Sequence, residues 1–202
     1  MRFISQTLVL SAALLFQAPA FASPITFGGQ LTQALEVPPT GSPGTGNATI
    51  VLDPAANTLQ VSVTFSGLES GTTASHIHCC LTSPFETGVN VGVATTVPTF
   101  AGFPLGVTSG TYNNVLDLTL ASSYNPAFVT AEGGTVAGAE AALIAGIEAG
   151  ETYLNVHTTA FPNGEIRGFL APVPEPASLV LLGSALFGLG LMRRRNTQRA
   201  SG

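Results

Sequence analysis

The three histidines of this chain are the residues whose type and spacing best suit chemistry. His76 and His78 are two positions apart in a predicted strand, and a strand directs such residues to the same face. Their Cα atoms would lie roughly 7 Å apart, a spacing that suits joint ligation of one metal ion. His157 lies in a second predicted strand. Three imidazoles predict a trigonal or tetrahedral site for copper or zinc, with water or Cys80 as the remaining ligand.

Two cysteines directly follow the histidine pair, and their redox state bears on the predicted site. In an oxidising compartment, Cys79 and Cys80 form a vicinal disulfide, remain reduced as soft metal ligands, or pair between molecules. A disulfide would exclude Cys80 as a ligand, because the metal requires the thiolate. The histidines also have an ordinary structural interpretation, as hydrogen-bonding groups on a strand.

A charged pair near the end of the predicted domain is interpreted as structural. Glu165 and Arg167 are two apart, so a strand places them on one face as an ion pair. The chain contains no nucleophile elbow, zinc-protease helix, phosphate-binding glycine loop or calcium-loop motif. The sequence therefore identifies no catalytic residues, and we expect a non-enzymatic domain.

These residues are positioned by a segment whose patterning is typical of β structure. Residues 59–66 alternate apolar and polar side chains, the period of a half-buried strand. Residues 47–52 precede them across a turn-forming cluster and complete a hairpin. Residues 136–149 break the pattern with an Ala-rich helix that ends before Gly150. Further strands are predicted at residues 25–31, 74–78, 115–120, 153–158 and 165–170. We expect an all-β, antiparallel Greek-key sandwich or barrel, immunoglobulin-like or superoxide-dismutase-like, with one crossover helix.

Charge excludes some partners of this domain, which we place at residues 23–172. It contains ten acidic residues and a single basic residue, Arg167, for a net charge of −9 with neutral histidines. Nucleic acid and anionic membrane surfaces are poor partners for such a domain.

Both ends of the chain have the composition of targeting segments. Residues 1–22 combine Arg2, an apolar run and Ala20-Phe21-Ala22, which predicts a signal peptide cleaved by signal peptidase before Ser23. Near the other end, an apolar run at residues 177–192 predicts a transmembrane helix of about 24 Å. This is shorter than the roughly 30 Å hydrocarbon core of a bilayer. Arg193, Arg194 and Arg195 follow it, which keeps residues 196–202 in the cytoplasm.

The segment from Val173 to Arg195 resembles the PEP-CTERM sorting signal of Gram-negative bacteria that make extracellular polysaccharide. It has the Pro174-Glu175-Pro176 motif, the apolar run and the arginine cluster. The resemblance implies export and processing near the motif by an exosortase, a membrane-embedded cysteine transpeptidase-like enzyme. It implies a transient stay in the inner membrane, then the cell surface or extracellular matrix, with exopolysaccharide or matrix proteins as partners.

A second resemblance covers about residues 25–170. Residues 36–39 (Glu-Val-Pro-Pro), 75–78 (Ser-His-Ile-His), 153–158 (Tyr-Leu-Asn-Val-His-Thr) and 162–168 (Pro-Asn-Gly-Glu-Ile-Arg-Gly) are similar to motifs of the CHRD domain of chordin. The resemblance implies a β-sandwich module with no assigned catalytic activity. Cys79-Cys80 departs from the Gly-Pro that more often follows the histidine pair in that family.

Two functions are therefore expected. The first is an exported, non-enzymatic surface or extracellular-matrix module associated with exopolysaccharide or biofilm. The alternative is an exported copper- or zinc-binding domain that uses the three histidines. The His-x-His pair resembles that of copper–zinc superoxide dismutase, but the bimetallic site of that enzyme needs more histidines than this chain has.

Overall fold

A computed structural model describes residues 23–174 and 182–187. The predicted signal peptide with Ala20 and Ala22 lies outside the described residues. So do Glu175, Pro176 and the arginines at positions 193–195.

Eight strands of the described chain form one sheet, in which every pair of neighbouring strands is antiparallel. The strands are β1 (Ile25–Thr32), β2 (Thr45–Asp53), β3 (Thr58–Ser66), β4 (Thr72–His78), β5 (Gly110–Asp117), β6 (Tyr153–Thr158), β7 (Ile166–Phe169) and β8 (Ala171–Pro172). Their order across the sheet is β4-β6-β7-β1-β2-β3-β5, and β8 pairs with β1. The predicted antiparallel β class is confirmed, and the sheet curls into a half-barrel.

The alternation along β2 and β3 explains where the core lies. Ile50 and Leu52 on β2, and Leu59, Val61 and Val63 on β3, are buried on one face, while their polar neighbours face outward. Burying one such aliphatic side chain contributes about 1.5–3 kcal/mol, so this hairpin supplies a large share of the core.

Two α-helices lie between β5 and β6, after a short 3-10 helix at Ala121–Ser123. The longer, α2 (Val136–Glu148), confirms the predicted helix, and the Thr135 side chain accepts a hydrogen bond from Gly138 N at its start. It adds three buried side chains, Ala139, Leu143 and Ile147, to the core cluster. The shorter helix, α1 (Pro126–Ala131), was not predicted. It begins where Asn125 accepts a hydrogen bond from Ala127 N, next to the favourable first-turn Pro126.

The prediction of a strand at residues 115–120 was wrong in position. The strand occupies Gly110–Asp117, and the chain turns at its end because Asp117 Oδ1 accepts bonds from Thr119 N at 2.9 Å and Thr119 Oγ1 at 2.6 Å. Leu118, which follows the strand, is fully buried, so it continues the apolar alternation that the prediction used.

Residues 182–187 are helical and belong to the predicted transmembrane segment, whose remaining residues lie outside the described chain. Within the described ranges, no helix combines the length and apolarity that crossing a bilayer requires.

Candidate metal centre

Pairing between β4 and β6 brings the three histidines together. In the antiparallel register, His76 lies opposite Asn155, His78 lies opposite Tyr153, and His157 lies opposite Ala74. Directly opposed residues project from the same face of a sheet, so all three imidazoles share one face. Ile77, between the first two, projects into the hydrophobic core instead.

The three imidazoles form a compact, mostly buried cluster. One ring nitrogen from each lies within 4.8 Å of the other two. His76 Nδ1 and His157 Nε2 are 3.2 Å apart. The residues are only 6% (His76), 8% (His78) and 9% (His157) exposed.

Backbone carbonyls determine which nitrogen of each ring carries the proton. His76 Nε2 lies 2.6 Å from Pro98 O, and His78 Nδ1 lies 2.7 Å from Val91 O. His157 Nδ1 lies 2.9 Å from Pro162 O. A carbonyl only accepts hydrogen bonds, so each of these nitrogens is the N–H donor.

The other nitrogen of each neutral ring then carries a lone pair and no proton. These are His76 Nδ1, His78 Nε2 and His157 Nε2, and His78 Nε2 has no hydrogen-bond partner. Burial lowers the pKa of all three rings, to about 4 for His78 and for His157. The 3.2 Å contact between His76 and His157 therefore places two lone pairs against each other, an arrangement that a bound cation would stabilise.

The distances between the nitrogen donors of the cluster fit a bound metal ion. Two nitrogens bound at about 2.0–2.1 Å in tetrahedral geometry lie about 3.3 Å apart, close to the observed 3.2 Å. The widest separation would contract from at most 4.8 Å to about 3.5 Å in a trigonal site. Metal-bound histidines commonly donate their other N–H to a carbonyl, as all three do here.

Residues 79–109, which we call the cover loop, hold β4 from the side away from β6. Cys79 N donates to Gly92 O at 3.2 Å, and Ala94 N donates to Ile77 O at 2.9 Å. Thr95 Oγ1 accepts from Ile77 N at 2.9 Å. The loop thus runs along β4 like a further strand, and it supplies two of the three carbonyls that orient the histidines.

A buried cation lies behind the cluster. Tyr153 stacks on His78 with ring centroids 4.7 Å apart, and the Arg167 guanidinium lies 4.4 Å from the centre of the other face of Tyr153. Arg167 Nε donates to Glu36 Oε2 at 3.0 Å, and its Nη2 donates to Asn90 Oδ1 at 2.6 Å. Burial raises the pKa of Glu36 to about 7, although Arg167 opposes that shift.

The structure does not pair Glu165 with Arg167, so that expectation is corrected. Glu165 is fully buried and accepts hydrogen bonds from Ser42 Oγ and Thr158 Oγ1, each at 2.5 Å, and from Glu69 N at 2.7 Å. Neutral donors satisfy its carboxylate, which leaves Arg167 for Glu36.

Cys80 is not a metal ligand in this structure, because Cys79 and Cys80 form a vicinal disulfide. Cys80 Sγ lies 3.9 Å from Ala142 O of α2. A Cβ built on Gly146 of the same helix would lie 2.5 Å from Cys79 Sγ and 2.9 Å from Cys80 Sγ. The disulfide therefore packs against α2, and the glycine leaves the space for it.

Sequence reasoning missed the carbonyl partners and the pairing of Glu36 with Arg167. Carbonyls leave no signal in residue types, so their positions could not be predicted. The ion pair did have a signal, because Arg167 is the only base available to any buried carboxylate of the exported domain.

Comparison with protein-family models matches residues 27–170 to the CHRD domain, over half of the chain. The chain belongs to the CHRD domain family. The histidine cluster, the cover loop and the buried ion pair all lie inside this CHRD domain.

A second match, to the PEP-CTERM protein-sorting motif, covers residues 172–195. This motif, directly after the CHRD domain, indicates an exported protein that is sorted at the membrane and processed by an exosortase. Comparison with curated proteins gives no match. Comparison with solved structures likewise gives none.

Proposed function

We propose that this exported CHRD domain binds one copper or zinc ion through His76 Nδ1, His78 Nε2 and His157 Nε2. The observation that carries the proposal is the arrangement of the protons. Each N–H points to a carbonyl at 2.6–2.9 Å. His76 Nδ1 and His157 Nε2 face each other at 3.2 Å, and one ring nitrogen from each of the three histidines lies within 4.8 Å of the other two. Histidines with a purely structural role would be expected to use both nitrogens in hydrogen bonds, whereas His78 Nε2 has no partner.

Metal content tests this proposal directly. The full-length chain, purified from the membranes of producing cells, is expected to contain about one metal ion per chain by elemental mass spectrometry. The His76→Ala variant should lose the ion, because the two remaining imidazoles supply too few ligands to hold it. Asn113→Ala is the matched control, since it also removes a polar side chain, on an exposed position of β5. A metal-free protein that takes up neither copper nor zinc on titration would contradict the proposal.

The sorting motif supports a second, compatible proposal about where the domain acts. It serves as a non-enzymatic module of the cell surface or extracellular matrix, associated with exopolysaccharide or biofilm. The strongly acidic, hydroxyl-rich composition of the exported domain is consistent with a hydrated matrix.

Gene deletion and complementation test this second proposal. Deletion is expected to alter matrix or biofilm properties, and the wild-type gene should restore them. A variant that lacks residues 173–202 should not, because it keeps the CHRD domain and loses the sorting motif. An unchanged matrix in the deletion strain would count against this role.

A further inference from the structure

The charge of the histidine cluster distinguishes between the ions that could bind there. All three donors are imidazoles, which bind a metal ion in their neutral form. Within residues 23–174 and 182–187, no aspartate, glutamate or free cysteine joins the cluster. The charge of a bound ion would therefore not be neutralised by any of the ligands that this part of the chain supplies.

The charged residue that lies behind the cluster, across the ring of Tyr153, is a cation. Arg167 lies against one face of Tyr153, and His78 lies against the other face. Glu36, the carboxylate nearest to that guanidinium, already pairs with it at 3.0 Å. The paired charges of Arg167 and Glu36 thus add no net negative charge beside the cluster. The buried carboxylate of Glu165 bonds to Ser42, Glu69 and Thr158, and to none of the three histidines.

The cluster is also mostly buried, with its three residues 6–9% exposed. Less than 1 Å² of His78 Nε2 is accessible, although this nitrogen has no partner. The cost of moving an ion from water to such an environment rises with the square of its charge, so a divalent ion costs about four times as much as a monovalent one.

We propose that the ion of this site is monovalent copper, held by three histidine nitrogens in trigonal geometry. This deepens the proposed metal-binding function and depends on it. Zinc is almost always four-coordinate and uses an anionic or water ligand when the protein supplies only three. Cuprous ion carries a single charge and is stable with three nitrogen donors, which is the set that this mostly buried cluster offers.

Competition titrations under anaerobic conditions test the inference. The full-length chain in detergent is titrated with Cu(I) against a chromophoric Cu(I) chelator, and separately with Zn²⁺ and Cu²⁺ against chelators of known affinity. We expect one Cu(I) per chain, bound at least about 100-fold more tightly than either divalent ion, since even a small part of the desolvation difference suffices for that ratio. X-ray absorption should show three nitrogen neighbours at about 2.0 Å.

The outcomes separate this inference from the function on which it rests. Binding of Zn²⁺ or Cu²⁺ at one per chain with equal or higher affinity than Cu(I) overturns the cuprous assignment and retains the metal site. Failure of all three ions to bind overturns both.

A variant that adds one negative charge tests whether charge causes the preference for Cu(I). Asn155 lies opposite His76 on β4 and opposite Arg167 on β7, and it is 1% exposed. Asn155→Asp therefore places a carboxylate beside both the cluster and the guanidinium, with almost no change of shape. The preference for Cu(I) over Zn²⁺ should fall at least about tenfold, because a buried anion favours the divalent ion. The control is Asn113→Asp on exposed β5, which should leave the ratio unchanged. A folded Asn155→Asp protein with an unaltered ratio contradicts the charge argument.

Discussion

Arg167, the single basic residue of the domain, connects distant parts of the chain through its hydrogen bonds. It is 1% exposed, and its donors reach Glu36 Oε2, Val89 O at 3.1 Å and Asn90 Oδ1. These partners come from the segment after β1 and from the cover loop, so the guanidinium joins β7 to two distant parts of the chain. A buried ion pair adds little net stability, but the loss of one partner leaves a charge uncompensated.

Replacing Arg167 should therefore destabilise the domain strongly. Arg167→Met is expected to lower the free energy of unfolding by about 3–5 kcal/mol, because Glu36 stays buried without its cation. Urea denaturation measures this change. Adding Glu36→Gln to the variant should restore part of the loss, because the orphaned carboxylate is removed. Glu148→Gln, on the exposed side of α2, changes the charge without consequence for stability.

The buried histidines predict a pH dependence of the metal-free protein. Burial lowers the pKa values of His78 and His157 to about 4, below the ordinary value of 6.5. The unfolded chain therefore binds more protons than the folded chain between those values, and the free energy of unfolding falls as pH drops from about 6.5 to about 4. Urea denaturation in the presence of a chelator should show this slope. A His78→Gln/His157→Gln variant should have a flatter profile over the same range.

Among the elements, α2 and the cover loop hold β4 from different directions. The disulfide at the end of β4 packs on α2, where Gly146 has no side chain to obstruct it. On the edge of β4, Thr95 of the cover loop bonds to the backbone of Ile77. The position of the His76–His78 pair thus depends on two elements outside the sheet.

Gly146→Ala tests the packing between α2 and the disulfide. Alanine has the better helix propensity, by about 1 kcal/mol, so an isolated helix would gain stability. In this domain the added methyl group meets both sulfurs, and we expect a net loss of about 1–3 kcal/mol by thermal or urea unfolding. The matched control is Gly92→Ala, where nothing lies within 4 Å of the added carbon. Combining Gly146→Ala with Cys79→Ala and Cys80→Ala should recover the helical gain. A stabilised Gly146→Ala single variant would show that α2 is not packed on the sulfurs.

Thr95→Val tests the attachment of the cover loop to β4. Thr95 is fully buried, and valine has nearly its shape but cannot accept the hydrogen bond from Ile77 N. We expect a loss of about 1–3 kcal/mol, the cost of an unpaired buried donor. Hydrogen exchange at the Ile77 amide should accelerate by more than the global change explains. The exposed Thr111→Val on β5 provides the comparison, with little change expected.

The sequence predicted those elements whose side chains alternate or repeat in a regular way. Leu59–Ser66 has the strand period, and the helix at Val136–Glu148 has the Ala-rich composition, so both were located correctly. The cover loop has neither pattern: Ala94, Phe100 and Phe103 reach the core at irregular spacing, and its contacts with His76 and His78 are made by backbone carbonyls. For the same reason, the sequence predicted which histidines converge but not the carbonyls that set their tautomers.

At the scale of the whole molecule, the domain ends where the sorting motif begins. The short strand β8 pairs with β1 through Phe27 and Gly28, and Val173 N donates to Thr26 O at 2.9 Å. Pro174, the first residue of the Pro-Glu-Pro motif, follows immediately. The sheet therefore holds the chain up to the residue before Pro174-Glu175-Pro176.

This anchoring predicts different effects of two truncations. A chain that ends at Pro174 keeps β8, whereas a chain that ends at Leu170 loses it together with the bond to Thr26. The shorter chain should be less stable by about 1–3 kcal/mol, since each lost backbone hydrogen bond costs about 0.5–1.5 kcal/mol. Urea denaturation of the two chains compares them directly, and equal stability would show that β8 contributes nothing.

The separation of the histidines along the chain also determines when an ion can bind. His76 and His157 are 81 residues apart, and the carbonyls that orient the rings come from the cover loop and from Pro162. No stretch of unfolded chain contains the site, which comes into being only when β4 pairs with β6. A chain exported before it folds would therefore cross the membrane empty. Under the proposed copper binding, the ion would come from the medium in which the chain folds. The supply of copper outside the cytoplasm would then determine how much of the protein is loaded.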